Sequence, residues 1–515
     1  MPSHPKKAEN PSQVFQQAAD LHRQGDLVAA EYVYQKLLKA RRDRFDVLHL
    51  LGILRHQQGR YPEALLQLRA ALKINPTFLP ALLHQAVVLQ ALNRPAEAVA
   101  SYDKALAIKP DCAEALNNRG NALRDLNRTA EALASFEKAL ASKPDCAEAH
   151  YNRGNTLQGL NCAAEALSSF DKALAIKPIY AKALSGRGNA LRSLNRTAEA
   201  LVSFDKALAV NPGDAGTLHN RGNALQDLGR HAEALASYDQ ALRIDPDLAE
   251  AWFDRGGVLQ RLKRSEEAIN AYRQALAKGG DAEVIQYVLA SLGAEAAPAT
   301  APKKFITELF DQCAERFEDR LVEKLKYRAP DLLFDLVERF VPSRHLDILD
   351  LGCGTGLAGA RLHPLARTLT GVDLSSNMLN IARQRQIYSN LVHSELVEFL
   401  QKRTKSFDLA VATDVFLYIG DLSNVFHGVH GALRDGGFFG FSVEADEGQD
   451  FVLRDTCRYA HSAIYLRRLT EDHGFALETI ESKVIRQQDG GDVVGYLAML
   501  RSVTGCPCST IAATC

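Results

Sequence analysis

Small and bulky apolar residues recur through the first half of the chain with a period of 34 residues. Alanine occupies one position of every period, and an aromatic residue or leucine follows it four residues later. The alanines are Ala30, Ala64, Ala98, Ala132, Ala166, Ala200, Ala234 and Ala268, and the bulky residues are Tyr34, Leu68, Tyr102, Phe136, Phe170, Phe204, Tyr238 and Tyr272. Small residues let two helices approach closely while the bulky residue fills the space beside them, so each period predicts two antiparallel helices.

Proline closes six of the periods and predicts where the second helix of each unit stops, because its ring cannot continue a helix. These prolines are Pro76, Pro110, Pro144, Pro178, Pro212 and Pro246. Eight units fit between residues 11 and 282, and the segment from Asp281 to Leu292 predicts a closing helix over the last apolar face.

The pattern changes after AEAAPATAPKK, an Ala- and Pro-rich stretch that predicts a spacer with no face to bury. Beyond Lys304, apolar runs such as LDILDLG, TLTGVDL and FDLAVATDV alternate with helical stretches, which predicts a mainly parallel sheet covered on both faces. The predicted organisation is a disordered N-terminus over 1–10, a repeat array over 11–293, a linker over 294–304, an α/β domain over 305–503 and a cysteine-containing tail over 504–515.

Composition narrows the possible functions. Lys and Arg total 61 and Asp and Glu total 62, so the net charge of −1 gives no general field for binding a phosphate backbone. The most apolar run of the second half is short and interrupted by Asp414, well below the roughly 18 apolar residues of a membrane span, and we expect a cytoplasmic protein. None of the nine cysteines forms a CxxC pair. Because Cys506, Cys508 and Cys515 match no common metal site, we expect an oxidisable tail without metal.

The repeat columns resemble the tetratricopeptide repeat, with its small residues, its aromatic residue and its closing proline at fixed positions. The resemblance implies an α-solenoid whose concave side, lined by the first helix of each unit, binds a protein or peptide. Two columns of asparagine lie on that helix: Asn118, Asn152 and Asn220 in one, and Asn121, Asn155, Asn189 and Asn223 in the other.

This asparagine ladder has two interpretations. Repeats that resemble those of O-linked N-acetylglucosamine transferases carry such a ladder, which grips the backbone of an extended peptide, and an amide suits this task because it both donates and accepts. Alternatively, the asparagines belong to a duplicated consensus and bond between neighbouring units.

A glycine-rich turn follows the first strand of the α/β domain in the sequence LDLGCGTG, Leu349 to Gly356. Glycines here allow a tight turn and a close approach to a ligand, and Asp373 at the end of the next strand is placed to bind ribose hydroxyls. Gly354, Gly356 and Gly359 also satisfy the dinucleotide pattern G-x-G-x-x-G, which leaves hydride transfer as one interpretation. Asp350, two residues before Gly352, favours a different interpretation, in which its carboxylate meets the cationic ammonium of a ligand.

The segment VDLSSNMLNIAR after the second strand resembles the corresponding loop and helix of class I S-adenosylmethionine-dependent methyltransferases. The resemblance implies an α/β, Rossmann-like domain and S-adenosylmethionine as cofactor. It assigns cofactor binding to residues of the glycine turn and of the following strand ends, with Glu395 at the adenine amino group and Asp414 near cofactor and acceptor. These residues are Asp350, Gly352, Cys353, Gly354, Gly356, Asp373, Leu374, Met378, Glu395, Leu396 and Asp414. The segments Glu308 to Leu333, LYIGDL and Arg458 to Phe475 resemble those of bacterial predicted methyltransferases with N-terminal tetratricopeptide repeats, and this resemblance spans the whole chain except the tail.

Methyl transfer from a sulfonium requires alignment and exclusion of water, and it requires no metal. A nitrogen or oxygen acceptor can also need a base, for which His461 and Tyr418 are the candidates, together with Tyr327 and Glu444. The alternative for His461 is a capping or packing residue before SAIYLRRL, and the alternative for Tyr327 is surface packing. The fourth strand is followed by ATDVFLY and not by the N/D-P-P-Y/F motif of amine-methylating enzymes, so we expect a small molecule or a protein as acceptor, and no nucleic acid.

The sequence thus predicts an S-adenosylmethionine-dependent methyltransferase whose solenoid recruits a protein partner or substrate. The alternative is a scaffold whose cofactor-binding domain is catalytically silent. Intact Asp350, Asp373 and Asp414 favour the enzyme.

Overall fold

The computed structural model describes residues 11–41, 44–314, 318, 325–488 and 491–503. The chain divides into two compact units, Met1–Pro246 and Asp247–Cys515. The predicted N-terminal segment 1–10 and the tail 504–515, with Cys506, Cys508 and Cys515, lie outside the described residues. Within the described part of the chain, no helix combines the length and the apolar character needed to cross a bilayer.

The first unit consists of helix pairs, as the 34-residue period predicts. Its helices are α1 (Pro11–Gln24), α2 (Leu27–Ala40), α3 (Phe45–Gln57), α4 (Tyr61–Ile74), α5 (Leu79–Ala91), α6 (Pro95–Ile108), α7 (Ala113–Asp125), α8 (Thr129–Ser142), α9 (Ala147–Gly159), α10 (Ala163–Ile176), α11 (Ala181–Ser193), α12 (Thr197–Val210), α13 (Ala215–Asp227) and α14 (His231–Ile244). The helices before each repeat proline end two residues ahead of it, because a proline cannot donate the next helical hydrogen bond.

The turns inside the pairs use residues with positive φ, a conformation that ends a helix and that glycine and asparagine adopt most readily. These residues are Gly25, Gly59, Asn93, Asn127, Asn161, Asn195 and Gly229, with φ between 54° and 86°.

In the pairs that carry a glycine opposite an aromatic residue, the glycine and the ring pack against each other. A Cβ added at Gly120 would lie 2.5 Å from the Phe136 ring, and one added at Gly154 would lie 2.8 Å from the Phe170 ring. Both rings are fully buried. In these pairs the ring of the bulky column therefore occupies the volume that the missing Cβ of the glycine leaves open.

An arginine column connects consecutive repeats, and the sequence analysis did not single it out. Arg119 donates to Ser135 of its own pair (2.6 Å) and to Asp103 of the preceding pair (2.7 Å). Arg187 repeats this arrangement with Ser203 and Asp171. The same arginine contacts are made by Arg153 and Arg221.

The second unit begins with the last helix pair, α15 (Ala249–Arg261) and α16 (Ser265–Ala277), and the predicted closing helix α17 (Ala282–Ser291). Two further helices, α18 (Lys303–Cys313) and α19 (Ala329–Phe340), lead into a sheet. The unit also contains α20 (Leu357–Leu362), α21 (Ser376–Gln384), α22 (Leu396–Leu400), α23 (Ser423–Ala432) and α24 (Ala463–Asp472).

The described strands form one sheet. They are β1 (Leu346–Leu351), β2 (Ala366–Asp373), β3 (Asn390–His393), β4 (Phe407–Ala412), β5 (Leu433–Asp446), β6 (Phe451–Leu453), β7 (Tyr459–Ser462), β8 (Phe475–Gln488) and β9 (Gly491–Ser502). Their order is β3-β2-β1-β4-β5-β7-β6, and β9 runs antiparallel to both β5 and β8. Strands β1 to β5 and β7 pair in parallel, so their carboxyl ends meet at one edge of the sheet.

The stretch 294–304 corrects the prediction of a spacer with nothing to bury. Ala301 is buried, and its N–H donates to the carbonyl of Tyr418 (2.9 Å). The carbonyl of Ala299 accepts from the N–H of Gly420 (2.8 Å). Composition gave no sign of this docking, because backbone groups make the contacts and any residue carries those groups.

Gly154→Val is expected to lower the thermal midpoint of the full chain. The new side chain must enter the space of the Phe170 ring, and overpacking of this kind costs about 1–3 kcal/mol. Gly159→Val, in the same helix α9, is the matched control, because nothing lies within 4 Å of a Cβ at that position. Circular dichroism melts compare the two variants. Equal midpoints would contradict the ring-against-glycine explanation of the repeat columns.

Candidate functional site

A cavity of about 490 Å³ opens at the carboxyl edge of the parallel strands. It is lined by residues that directly follow β1, β2, β3 and β4, together with residues 300–310 and two arginines. Ten of the predicted site residues line it: Gly352, Cys353, Gly354, Asp373, Leu374, Met378, Glu395, Leu396, Asp414 and Tyr418. The sheet therefore brings together side chains that lie up to 66 residues apart in the sequence.

Backbone N–H groups fix the carboxylate of Asp373 in this cavity. Oδ2 accepts from the N–H of Gly354 and Oδ1 from the N–H of Ser375, both at 2.8 Å. Gly352 and Gly354 have φ of 63° and 51°, which is the left-handed region that glycine adopts without strain. The glycine turn thus holds Asp373 rigidly, while burial raises the pKa of its carboxyl.

Glu395 is held in the same manner at the end of β3. It caps α22, and its carboxylate accepts from the N–H groups of Val397 (3.1 Å) and Glu398 (2.9 Å). The apolar side chains of Leu374, Met378 and Leu396 also line the cavity with Asp373 and Glu395. This part of the site pairs two fixed carboxylates with apolar surface.

Asp350 and Gly356 correct the sequence prediction, because neither lines the cavity. Asp350 is fully buried behind the glycine turn, where its Oδ2 accepts from the Tyr388 hydroxyl (2.7 Å) and its Oδ1 has no hydrogen-bond partner within the described residues. Gly356 is the buried residue before α20, with φ of 90°. The sequence contained no signal for Tyr388, because it lies 38 residues after Asp350.

His461 also corrects the prediction, since it cannot act as a base in this cavity. The side chain is fully buried in β7, and its Nε2 lies 3.0 Å from the carbonyls of Ile419 and Gly420, to which it donates. Burial lowers the pKa of His461 to about 4. The structure therefore favours the packing alternative over a catalytic role for this histidine.

A buried ion network surrounds Asp414. Arg486 of β8 is almost fully buried, donates to Asp414 Oδ2 (2.8 Å) and pairs with Glu444 of β5. Asp414 itself has φ of 55°, in the left-handed region that few residues other than glycine, asparagine and aspartate adopt. Burial raises the pKa of Asp414, while Arg486 opposes this rise.

Sequence reasoning missed Arg458 and Arg486, which also line the cavity. Both lie in or beside strands far from the recognised motifs, and a charged residue within a strand pattern ordinarily faces solvent. Tyr327, one of the weighed candidates, lines the cavity as well, and burial raises its pKa.

The asparagine columns of the repeats are partly used inside the protein. Asn152 donates to Asn117 of the preceding pair (3.0 Å), and Asn117 donates to Asn118 (3.1 Å). Asn223 accepts from the Tyr238 hydroxyl (2.5 Å). At those positions the bonds favour the second interpretation, in which the asparagines of a duplicated consensus bond within the repeat array. The remaining members, Asn121, Asn155, Asn189 and Asn220, are half-buried.

The chain is similar to curated methyltransferases, of which two are described here. Malonyl-[acyl-carrier protein] O-methyltransferase of Bacillus cereus is 30% identical over 28% of this chain and 54% of its own length. Ubiquinone biosynthesis O-methyltransferase of Hydrogenovibrio crunogenus is 24% identical over 28% of this chain and 62% of its own length. The chain thus spans less than two thirds of either relative.

Among solved structures, the crystal structure of YrrB, a TPR protein with an unusual peptide-binding site, is 26% identical. The match covers 35% of this chain and 93% of that chain, with a TM-score of 0.31.

Asp350→Asn is expected to raise the free energy of unfolding, most strongly above neutral pH. Burial raises the pKa of Asp350 from 3.8 to about 7, so the native state binds a proton that the unfolded chain has released within this window. Native stability is therefore lost as the pH rises from about 4 to 7, whereas asparagine still accepts from Tyr388 and has no such loss. Urea unfolding without ligand measures the free energy of unfolding of the variant and of the wild type. The difference between them should grow by about 3 kcal/mol between pH 5 and pH 8.

Asp492→Asn is the control for this variant, because Asp492 is exposed and accepts from Gln487 (2.9 Å). A gain from Asp350→Asn that stays the same at pH 5 and pH 8 would contradict the cost assigned to the buried carboxylate.

Family models confirm both halves of the predicted architecture. A model of the methyltransferase domain matches residues 349–439, which run from the glycine turn into β5 and include Asp373, Glu395 and Asp414. Models of the tetratricopeptide repeat match residues 15–77, 83–145, 117–178, 181–214 and 214–278. The chain is therefore an array of tetratricopeptide repeats followed by a methyltransferase domain.

Proposed function

We propose that the protein transfers a methyl group from S-adenosylmethionine to an oxygen or nitrogen of an acceptor, which its repeats help to recruit. The observation that carries this proposal is the single cavity in which Asp373, Glu395 and the glycine turn meet Asp414 and Tyr418. Both relatives described above are O-methyltransferases, which favours oxygen as the acceptor atom.

The residues at the β2 and β3 side of the cavity suit a nucleoside. Asp373 offers a fixed carboxylate to a pair of hydroxyls, and Glu395 offers a second one to an amino group. Leu374, Met378 and Leu396 supply the apolar surface that a base between them requires. When bound, S-adenosylmethionine supplies a methyl group on a positively charged sulfur, which is already electrophilic.

The chain's own residues then have to align the acceptor and exclude water. Tyr418 lines the cavity and is almost fully buried, and its backbone carbonyl is fixed by Ala301. Burial raises the pKa of Tyr418, so its hydroxyl stays protonated and donates to an acceptor oxygen at neutral pH.

For the repeats, we propose recruitment of a protein or peptide through the first helices. The half-buried amides of Asn121, Asn155, Asn189 and Asn220 recur on successive first helices. An extended peptide presents backbone donors and acceptors at regular intervals, which such amides can match.

Asp373→Asn is expected to weaken binding of S-adenosylmethionine about tenfold or more, because a charge-assisted hydrogen bond is replaced by a neutral one. Isothermal titration calorimetry on the full chain measures the dissociation constant. Asp435→Asn is the control, since Asp435 is exposed and paired with Lys405 (2.9 Å). A wild-type protein that binds no S-adenosylmethionine at millimolar concentration would favour the scaffold alternative, and binding of NADH instead would favour hydride transfer.

Replacing Asn118, Asn121, Asn152, Asn155, Asn189, Asn220 and Asn223 by alanine together is expected to abolish recovery of the partner in a pulldown. The matched control replaces Lys138, Lys172 and Lys206, which are exposed on second helices of the same repeats. Circular dichroism verifies that both variants fold. Unchanged recovery with the asparagine variant would remove the ladder hypothesis and leave the duplicated consensus as its explanation.

A further inference from the structure

One arginine at the cavity shares its carboxylate partner with two other arginines. Arg458 lies in the turn between β6 and β7 and lines the cavity with its side chain 24% exposed. Its Nη1 donates to the neutral amide of Gln488 (2.6 Å), and its ion pair with Glu444 is long, at 3.8 Å. A guanidinium has five N–H donors, so Arg458 retains donors for a ligand.

The carboxylates that line the cavity have ion-pair or hydrogen-bond partners other than Arg458. Asp414 pairs with Arg486 at 2.8 Å. Asp373 and Glu395 accept from backbone N–H groups at the opposite, nucleoside-binding side. Glu444 pairs with Arg486 and Arg454 as well, so among the described residues the ion pair of Arg458 is long and its carboxylate is shared.

A ligand at Arg458 would meet a second hydrogen-bond donor and apolar surface as well as a positive charge. The Tyr418 hydroxyl lies beside the guanidinium and adds a second donor. Leu309, Phe310 and Leu417 contribute apolar surface to the same cavity. A planar fork of donors with an apolar wall fits a carboxylate on an apolar stem, because the two oxygens of a carboxylate match the geometry of a guanidinium.

We infer that the methyl acceptor is a carboxylic acid, which binds through Arg458 and Tyr418 and leaves as a methyl ester. The inference rests on the proposed function and names its substrate class. A lone pair of the carboxylate oxygen forms the new O–C bond to the methyl carbon while the C–S bond breaks, and its electron pair returns to sulfur. The sulfonium becomes a neutral thioether, the carboxylate becomes a neutral ester, and no proton is released. The step therefore needs no base, which agrees with the burial of His461 away from the cavity.

The last repeat and its closing helix position this arginine. Tyr287 of α17 donates to the carbonyl of Cys457 (2.8 Å), and Gln260 of α15 donates to the carbonyl of Asp455 (2.5 Å). Both carbonyls belong to the turn that carries Arg458. The acceptor end of the cavity is thus built jointly by the methyltransferase domain and by the repeat that precedes it in the chain.

The chemical test uses the stability of the product. Full-length protein is incubated with S-adenosylmethionine tritiated on the methyl group and with the small-molecule and protein fractions of a bacterial lysate. Mild alkali then hydrolyses methyl esters to volatile methanol, whereas methyl ethers and methylamines stay in solution. The expected result is that most of the incorporated tritium becomes volatile. Incorporated tritium that resists alkali would overturn the carboxylate inference while leaving methyl transfer intact.

Variants connect this result to Arg458. Arg458→Gln is expected to reduce alkali-volatile incorporation by about tenfold or more, with unchanged affinity for S-adenosylmethionine, and Arg458→Lys should retain part of it. Arg454→Gln is the matched control, because Arg454 also contacts Glu444 (3.3 Å) but does not line the cavity. We expect it to stay within about twofold of wild type.

The outcomes separate the inference from the function on which it rests. Equal losses from Arg458→Gln and Arg454→Gln would assign Arg458 a structural role and overturn the inference. An enzyme that binds S-adenosylmethionine and labels neither fraction would contradict the proposed function, and the inference with it.

Discussion

The buried guanidinium of Arg486 holds together the part of the methyltransferase domain where chemistry is proposed. It reaches from β8 to Asp414, directly beyond β4, and to Glu444 in β5, so one side chain joins three strands of the sheet. Removing one member of such a buried pair leaves an uncompensated charge and costs about 3–5 kcal/mol. Asp414 has a left-handed backbone conformation and forms part of the cavity wall.

The glycine turn shows how backbone geometry and electrostatics act together in the same domain. The positive φ angles of Gly352 and Gly354 direct an N–H group at Asp373, which fixes a carboxylate at the end of β2. Asp350, behind the turn, is buried with one oxygen unpartnered among the described residues. Such a carboxylate lowers the stability of the native state as the pH rises, because burial disfavours its charged form.

The second unit is continuous from the last repeat to the cavity. Tyr287, Leu417, Tyr418 and Tyr459 belong to one buried apolar cluster, and Ala301 of the connecting segment lies within it. The segment between the repeats and the sheet is thus part of the cavity wall. In the proposed function, a partner recruited by the repeats and an acceptor bound at Arg458 would both depend on elements that this cluster supports.

The amino-acid sequence by itself determined the repeats, the order of the domains and the residues that follow each parallel strand. These features depend on local signals: a fixed period, prolines that end helices, and glycines with carboxylates at the ends of apolar strands. Because parallel strands end at one edge, residues such as Gly352, Asp373 and Glu395 could be assigned to one cavity before any coordinates were known. The tertiary structure alone decided which carboxylate and which histidine lie outside the cavity, and which arginines line it. Asp350 is turned to Tyr388, His461 donates to two carbonyls, and Arg458 and Arg486 come from the far end of the chain. These outcomes depend on contacts between residues tens of positions apart, for which a periodic pattern carries no signal, because side-chain direction and burial are set by packing partners that adjoin only in the folded state.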